Sequence, residues 1–477
     1  MKKIQTIKNR ICWLVFVLFI ALSFSCKKLI QIPVHPPGEI PTAQVFADSA
    51  GILSAVKGIY SNFNETNFSP SFVNGNIDQY TGRSSDELIV TSPAGLDADK
   101  VLPTDLPMES LWSSAYSNIY QMNSCLENIP SSTAISQALK NQLLGEIKVV
   151  RAFYYFNLVN LFGGVPLVTT TDYHVTETLP RASVDSVYSL IISDLTSAQK
   201  LLTAAYPAAP ATGGVPKARP NLYVADALLA KVYLYRQQWS NAAGTASLVI
   251  NSGAYSMEPN LNNIFLDGSK EAIWQLPATG LYYQTMDAYN FVPNPPNAFI
   301  PTYQVGSYLY AAFEAGDLRK TDWTGSNSVA TGGTVMVYYY PNKYKNIVAS
   351  ATPAEDFMFL RLGEQYLIRA EAYAQLNNAA GAVADINQIR NPARVGLPNY
   401  GGPTDQSSLL KEIYHERQVE LCFEWGNRWY DLKRTGTINA ILGAEKPTWQ
   451  PYAALYPVPQ TDMQSNPFLV QNPGYSR

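Results

Sequence analysis

Residues Glu416 to Arg434, ERQVELCFEWGNRWYDLKR, concentrate ionisable side chains in a chain that has few of them. Glu416, Glu420 and Glu424 fall four apart, as do Glu424 and Arg428, and Arg428 and Asp431 fall three apart. On one continuous helix such pairs share a face. Carboxylates gathered in this way are the apparatus of general acid–base chemistry, most plainly the hydrolysis of a glycosidic bond. The intervening Val419, Leu421, Phe423, Trp425, Trp429, Tyr430 and Leu432 support a second reading. A helix with apolar and aromatic residues on several sides is buried, and buried charges need partners. On that reading Glu416, Arg417, Glu420, Glu424, Arg428 and Asp431 form a structural ion-pair network rather than a catalytic set. His35, His174 and His415 are scattered, and no HExxH or CxxC spacing occurs, so no metal and no cofactor is expected. Cys125 and Cys422 lie in apolar patterns and read as buried thiols.

The elements that position these residues are mostly helices. Ile52, Leu53, Val56, Ile59, Tyr60 and Phe63 recur at helical spacing behind a capping Asp48. Further helices are expected after Pro107, from about 136 to 162 with a stop at Gly163–Gly164, and from about 183 to 202. A pair follows around VADALLAKVYLY and NAAGTASLVINS, and another at about 359–376 and 379–389. A single helix is expected from about 407 to 434, and an irregular tail after Gly443. Two stretches break the pattern with Pro, Gly, Asn and Tyr. Residues 64–105 read as loop with a short strand at Leu88 to Val90. Residues 255–356 read as loops, short strands and one short helix. Ala230, Tyr233 and Ala242 repeat the spacing of Ala370, Tyr373 and Ala382, and Ala152 with Tyr155 repeats its first step. Small residues set against aromatics in this way let paired helices pack closely, a spacing that resembles the tetratricopeptide repeat. The fold class is therefore mainly α: a helical-repeat scaffold with long loop-rich insertions and a few short strands.

Only 15% of the 477 residues are charged, against roughly 25% in an average protein, while 31 are Tyr. A polar, weakly charged, Tyr-rich surface suits uncharged ligands and leaves no basic stripe for nucleic acid. Lys2, Lys3, Lys8 and Arg10 precede an apolar run from Ile11 to Ser25, which is short for a membrane span. Cys26 then follows, and the arrangement resembles a bacterial lipoprotein processing site. The expected organisation is a signal peptide over 1–25, a Pro-rich tether over 26–41 lipidated at Cys26, and a single domain over 42–477.

LLGEIKVVRAFYYFNLVNLFGGVPLV (143–168), LPRASVDSVYSLIISDL (179–195), VINSGAYSM (249–257) and FLRLGEQYLIRAEAYAQL (359–376) appear in that order. ERQVELCFEWGNRWYDLKRTG (416–436) and LYPVPQTDMQSNPFLVQNPGY (455–475) complete the series. Together they resemble the SusD/RagB family of surface nutrient-binding lipoproteins over nearly the whole chain. The resemblance implies tetratricopeptide-like helix pairs supporting a loop-rich face. It also implies a lipid anchor on the outer membrane and a SusC-type TonB-dependent transporter as partner. Most family ligands are glycans, and some members serve peptide uptake. A segment shared by proteins that bind different ligands is better explained as scaffold, which moves Glu416–Arg434 away from catalysis. Lys27 and Lys28 stand where many members carry acids.

By the same resemblance the two loop-rich stretches face the ligand. Sugars are held by aromatic faces, with amides, carboxylates and guanidinium groups taking hydroxyl hydrogen bonds. The first stretch offers Asp78, Tyr80 and Arg83, beside Asn74, Asn76 and Gln79. The second offers Tyr282, Tyr283, Asp287, Tyr289 and Asn290, beside Gln284 and Phe291, and Trp323 is a further candidate. Tyr338 to Tyr340, Lys343, Tyr344, Asp317 and Arg319 read as packing. The expected function is non-catalytic capture of an oligosaccharide for delivery to the transporter; the alternatives are peptide uptake and glycoside hydrolysis.

Overall fold

The computed structural model describes residues 41–63, 72–73, 75–91, 93, 95–207, 216–277, 285–331 and 333–476. The expected signal peptide, Cys26 and the tether up to residue 40 fall outside them, as do Asn74, Tyr282, Tyr283 and Gln284. In chain order the first part comprises α1 (Ser49–Ser61), α2 (Asn76–Ser84), β1 (Leu88–Val90), α3 (Leu106–Asn128), α4 (Gln137–Phe162), α5 (Val184–Leu201), α6 (Leu222–Tyr235) and α7 (Trp239–Ile250). The insertion holds β2 (Ala272–Pro277), α8 (Met286–Phe291), β3 (Tyr303–Val305), α9 (Ser307–Ala312), α10 (Leu318–Asp322), β4 (Thr324–Thr331), β5 (Thr334–Pro341) and β6 (Asp356–Arg361). Then follow α11 (Leu362–Gln375), α12 (Ala379–Ile389), α13 (Gln406–Glu420), α14 (Asn427–Arg434), α15 (Ile438–Glu445) and α16 (Gln460–Ser465).

The helices start where side chains satisfy their first amides. Asp48, Ser136, Ser183, Asn221, Asn378 and Asp405 each accept from a backbone N–H of the first turn. The array α4–α5–α6–α7–α11–α12–α13 packs neighbour on neighbour, so the insertion interrupts the sequence of repeats but not their stacking. Ala230, Ala242, Ala370 and Ala382 are fully buried between paired helices, with Tyr233 and Tyr373 packed beside them.

Among the described residues, three two-stranded antiparallel sheets lie outside the array. Leu88 faces Val305 and Val90 faces Tyr303; Ala272 faces Arg361 and Pro277 faces Asp356; Thr324 faces Pro341 and Thr331 faces Thr334. Phe153 of α4 meets Trp274 of β2 at 5.5 Å and Trp425 at 4.8 Å, and Phe359 of β6 meets Trp425 at 4.7 Å. This aromatic hub fixes the insertion to the scaffold. At the far end, Arg181 donates to the carbonyls of Phe162, Gly164 and Val470 and to Asn472 Oδ1 at 2.5–2.7 Å. Asn472 Nδ2 returns to Phe162 and Tyr456, and Tyr456 N–H donates to Leu161. The segment 455–475 is thereby bound to the end of α4.

Four expectations need correction. The 64–105 stretch contains α2, whose sequence NIDQYTGRS has no apolar periodicity because polar side chains are what it buries. Among its described residues the insertion has three short α-helices rather than one. Residues 356–361 are a buried strand, an apolar run that periodicity alone cannot separate from helix. The 407–434 helix is two helices, broken at 421–426, where Phe423, Trp425 and Gly426 all have positive φ. A Cβ on Gly426 would come within 3.0 Å of three side-chain atoms of Thr81. Cys125 and Cys422 are buried free thiols.

Candidate ligand-binding site

All six members of the Glu416–Arg434 set are ion-paired; Arg417 and Asp431 pair with each other, and the other four take partners from elsewhere in the chain. Glu420 accepts from Arg394 Nη2 at 2.7 Å, Arg361 Nη1 at 2.8 Å and Arg319 Nη1 at 3.0 Å. Glu416 pairs with Arg319 and Arg390, both at 2.8 Å, and Glu424 with Arg361 and Lys343 at 2.6–2.9 Å. Arg417 and Arg434 share Asp431, and Arg428 takes Asp86 at 2.6–3.1 Å. The pair Glu424–Arg428 does not form, because the turn at 421–426 separates the faces that a continuous helix would align; Arg428 and Asp431 share α14, but Asp86 takes Arg428, and Arg417 and Arg434 take Asp431. Burial opposes ionisation of Glu420, but Arg394, Arg361 and Arg319 override it and hold the carboxyl well below the usual range. Glu416 and Glu420 expose no surface to a substrate.

Glu314, His415 and Glu416 each bring a possible metal ligand within 4.8 Å of the others. Arg390 Nη1 already lies 2.5 Å from Glu314 and 2.8 Å from Glu416, so a guanidinium supplies the positive charge there.

The two loop-rich stretches do come together. Gln79 of α2 donates to Tyr303 Oη of β3, and Tyr303 packs edge-on to Phe291 of α8 at 5.7 Å. Asp78 and Asp287, however, point inward. Their carboxyls meet, and Asp78 also accepts from Trp425 N–H; burial first and then Asp287 push Asp78 well above its ordinary range, and burial raises Asp287 too. Trp323 has no exposed surface, and Lys343 Nζ lies 4.1 Å from its ring centroid. Asp78, Asp287 and Trp323 are therefore corrected from ligand contacts to interior residues. Tyr80 and Asn290 are half-buried, and Tyr289 is exposed. Lys343, Tyr344, Asp317 and Arg319 are buried as packing residues, and Tyr339 stacks on Tyr310 at 4.0 Å.

Glu87, just before β1, is buried and accepts from Phe423 N–H at 3.1 Å. Burial, and then Asp86, push its carboxyl from 4.5 up to about 8. Between those values the fold binds a proton that the unfolded chain has released, so stability falls as pH rises through this window and levels off above it. Glu87→Gln keeps the acceptor and removes the acid. It is expected to be near neutral at pH 5 and stabilising by a few kcal/mol at pH 8.5, since each tenfold change in proton affinity is worth about 1.4 kcal/mol. Urea unfolding at both pH values measures this; equal effects at the two would refute it.

The open cleft lies on the outer side of these residues. It encloses about 330 Å³ and is built on the β1–β3 pair. Gly306 N–H donates to the Glu87 carbonyl at 2.7 Å. A Cβ on Gly306 would lie 2.0 Å from the Asp86 carbonyl oxygen, so only glycine permits this approach. The next residues, Ser307 and Tyr308, line the cleft, and Tyr308 is half exposed. Arg83, Asp97, Glu445 and Lys446 also line it, with the exposed Ile89 of β1. Arg83 donates to Asp97 through Nε at 3.1 Å and Nη2 at 2.6 Å. Lys446 Nζ reaches Asp99 Oδ1 and the carbonyls of Arg83 and Ser84, each at 3.0 Å. The Glu445 carboxyl abuts that of Asp86; burial first, and then that neighbour, push it up to about 7. Of the sequence candidates, Arg83 lines this cleft. Tyr308 is hidden in the helical-looking SYLYAA, where Leu309 faces the core, and Glu445 and Lys446 come from a tail expected to be irregular.

Two family models match the chain, one described as the SusD family over residues 279–475 and one as starch-binding associating with outer membrane over 43–234. A SusD-like protein, P25, of Formosa agariphila is 24% identical over 96% of this chain and 97% of its own length. The starch-binding protein SusD of Bacteroides thetaiotaomicron is 29% identical over 35% of this chain and 30% of its own length. A SusD superfamily protein from Parabacteroides distasonis superposes with a TM-score of 0.75 at 22% identity, over 89% of this chain and 99% of that one. A laminarin-binding SusD-like protein superposes with a TM-score of 0.72 at 24% identity, over 90% and 100%. These structures share the helical fold, and with family models matching both halves, the chain belongs to the SusD/RagB family.

Proposed function

We propose that the protein is a non-catalytic glycan-binding lipoprotein. It captures an oligosaccharide in the β1–β3 cleft and delivers it to a SusC-type TonB-dependent transporter of the outer membrane, to which Cys26 anchors it. The observation that carries this reading is the cleft itself, which the half-exposed Tyr308 and the Arg83–Asp97 pair line together beside β1. An aromatic face with oriented polar groups is what a sugar ring requires. The binding ascribed to the SusD and laminarin-binding relatives supports it. The cleft carboxylates argue against hydrolysis: Asp97 is held by Arg83 and Asp86 by Arg428, and Glu445 abuts Asp86. A glycosidase instead keeps two carboxyls roughly 5 Å or more apart, astride the scissile bond. Tyr282 and Tyr283, which precede α8 in the sequence, are proposed as further contacts.

Tyr308→Ala is expected to weaken binding to the cognate polysaccharide by about tenfold or more, the scale of one lost stacking contact. The melting temperature should not change, because the ring is half exposed. Affinity electrophoresis reads the first and thermal unfolding the second. Unchanged retardation by a polysaccharide that binds the native protein would move the site out of this cleft. Release of reducing ends would restore the enzymatic reading.

A further inference from the structure

The chemical class of the glycan follows from how the cleft's charges are committed, given that the cleft binds glycan at all. Anionic sugars, whether uronates or sulfate esters, are recognised by guanidinium or ammonium groups with hydrogen bonds to give. Among the described residues lining the cleft, two are cations, Arg83 and Lys446, and each is ion-paired with a carboxylate. Arg83 holds Asp97 through Nε and Nη2. Asp97 keeps only 6% of its side-chain surface, so drawing Arg83 away would strand a buried carboxylate. Lys446 has three N–H bonds to donate and three acceptors at 3.0 Å: one carboxylate and two carbonyls. Arg428 lies behind the wall, bound through Nε and Nη2 to Asp86.

The acids are not matched in the same way. Glu445 lines the cleft, and its buried Oε2 has no hydrogen-bond donor. It lies against Asp86, whose charge Arg428 already compensates. An incoming carboxylate or sulfate would therefore meet an acid without a donor and no cation whose charge is not already paired with a carboxylate. A neutral sugar meets no such penalty: its hydroxyls donate to Glu445 and Asp97, and its ring lies on Tyr308.

We infer that the cleft selects uncharged glycan chains and rejects those bearing uronate or sulfate groups.

The test is affinity electrophoresis of the native protein at pH 7.5 and fixed ionic strength. The neutral arm holds laminarin, starch, xylan and galactomannan; the anionic arm holds alginate, polygalacturonate and carrageenan. Retardation by at least one neutral polymer and by no anionic one is expected. Asp97→Asn, which releases the Arg83 guanidinium, should narrow the preference by about tenfold, the scale of one charge interaction in a partly solvated site. Glu445→Gln, which preserves shape and removes the acid, should narrow it in the same direction and does not disturb the Arg83 pair, so it serves if Asp97→Asn fails to fold. Binding of an anionic polymer as tight as that of any neutral one, and lost in Tyr308→Ala, would overturn the inference while upholding glycan capture. Retardation by no polysaccharide, together with capture of peptides, would overturn the parent reading and the selectivity with it.

Discussion

Glu420→Ala is expected to leave a protein that is either unfolded or destabilised by at least about 3–5 kcal/mol, the range for stranding buried charge. Glu420 has no exposed surface and serves three guanidinium groups, those of Arg319, Arg361 and Arg394. Those arginines descend from three places: α10, the end of β6 and the single turn Pro392–Val395 after α12. The carboxylate is thus where the insertion is tied to the last repeats. Its removal leaves like charges facing one another without water. Glu271 and Glu416 can compensate Arg394 and Arg319 in part, which limits the loss. Guanidinium chloride unfolding at pH 7 measures the effect, and a loss under about 1 kcal/mol, the scale of an exposed pair, would show that the site does not behave as a closed network. The same carboxyl predicts the acid limit of the fold. Its folded pKa is depressed, so its contribution is complete above the ordinary carboxylate range and is lost as pH falls through the depressed value.

Arg428→Ala should have the second largest effect, again about 3–5 kcal/mol. Arg428 grips Asp86 through Nε and Nη2 at 2.6–3.1 Å, and Asp86 is almost wholly buried beside Glu87 and Glu445. Without the guanidinium these acids face one another across the floor of the cleft. The deficit should therefore grow with pH, and glycan affinity should fall with stability, since Asp86 and Glu445 shape the wall. Asp86→Asn placed on Arg428→Ala should recover at least half of the loss. An additive double variant would show that the pair is not coupled.

What could be read from the sequence was what local spacing encodes. Helices, their caps, and the repeat residues Ala230, Ala242, Ala370 and Ala382 follow from periods of a few residues, and the structure has them. The membership of the ion network was also legible, because charge among aromatics has to be paired. Most of its partners, Arg319, Lys343, Arg361, Arg390, Arg394 and Asp86, were not. Pairing by intervals of four presumes an unbroken helix, and FEWGN holds one glycine to suggest that Phe423 and Trp425 turn left-handed. The two ligand stretches do meet, yet side-chain direction was lost. Whether Asp78 points to water or to Asp287 depends on α8 packing on α2, a contact between distant segments. The cleft depends on Leu88 pairing with Val305 and on Gly306 fitting under Asp86. No nearby residue announces either, so Tyr308 carries no signal of its own.

The Arg181 clamp has a consequence for how the molecule is made. Arg181 and the end of α4 belong to the first half of the chain, but the groups that complete their hydrogen bonds, Val470 and Asn472, lie close to the other end. The repeats between them can dock one after another as they emerge. The end of α4 cannot, because its carbonyls at Leu161 and Phe162 wait for residues not yet synthesised. Long-range closure of this kind is slow and leaves apolar surface uncovered meanwhile. The end of α4 thus reaches its final stability only once residues 470–472 have been made, which keeps a partly made molecule loose.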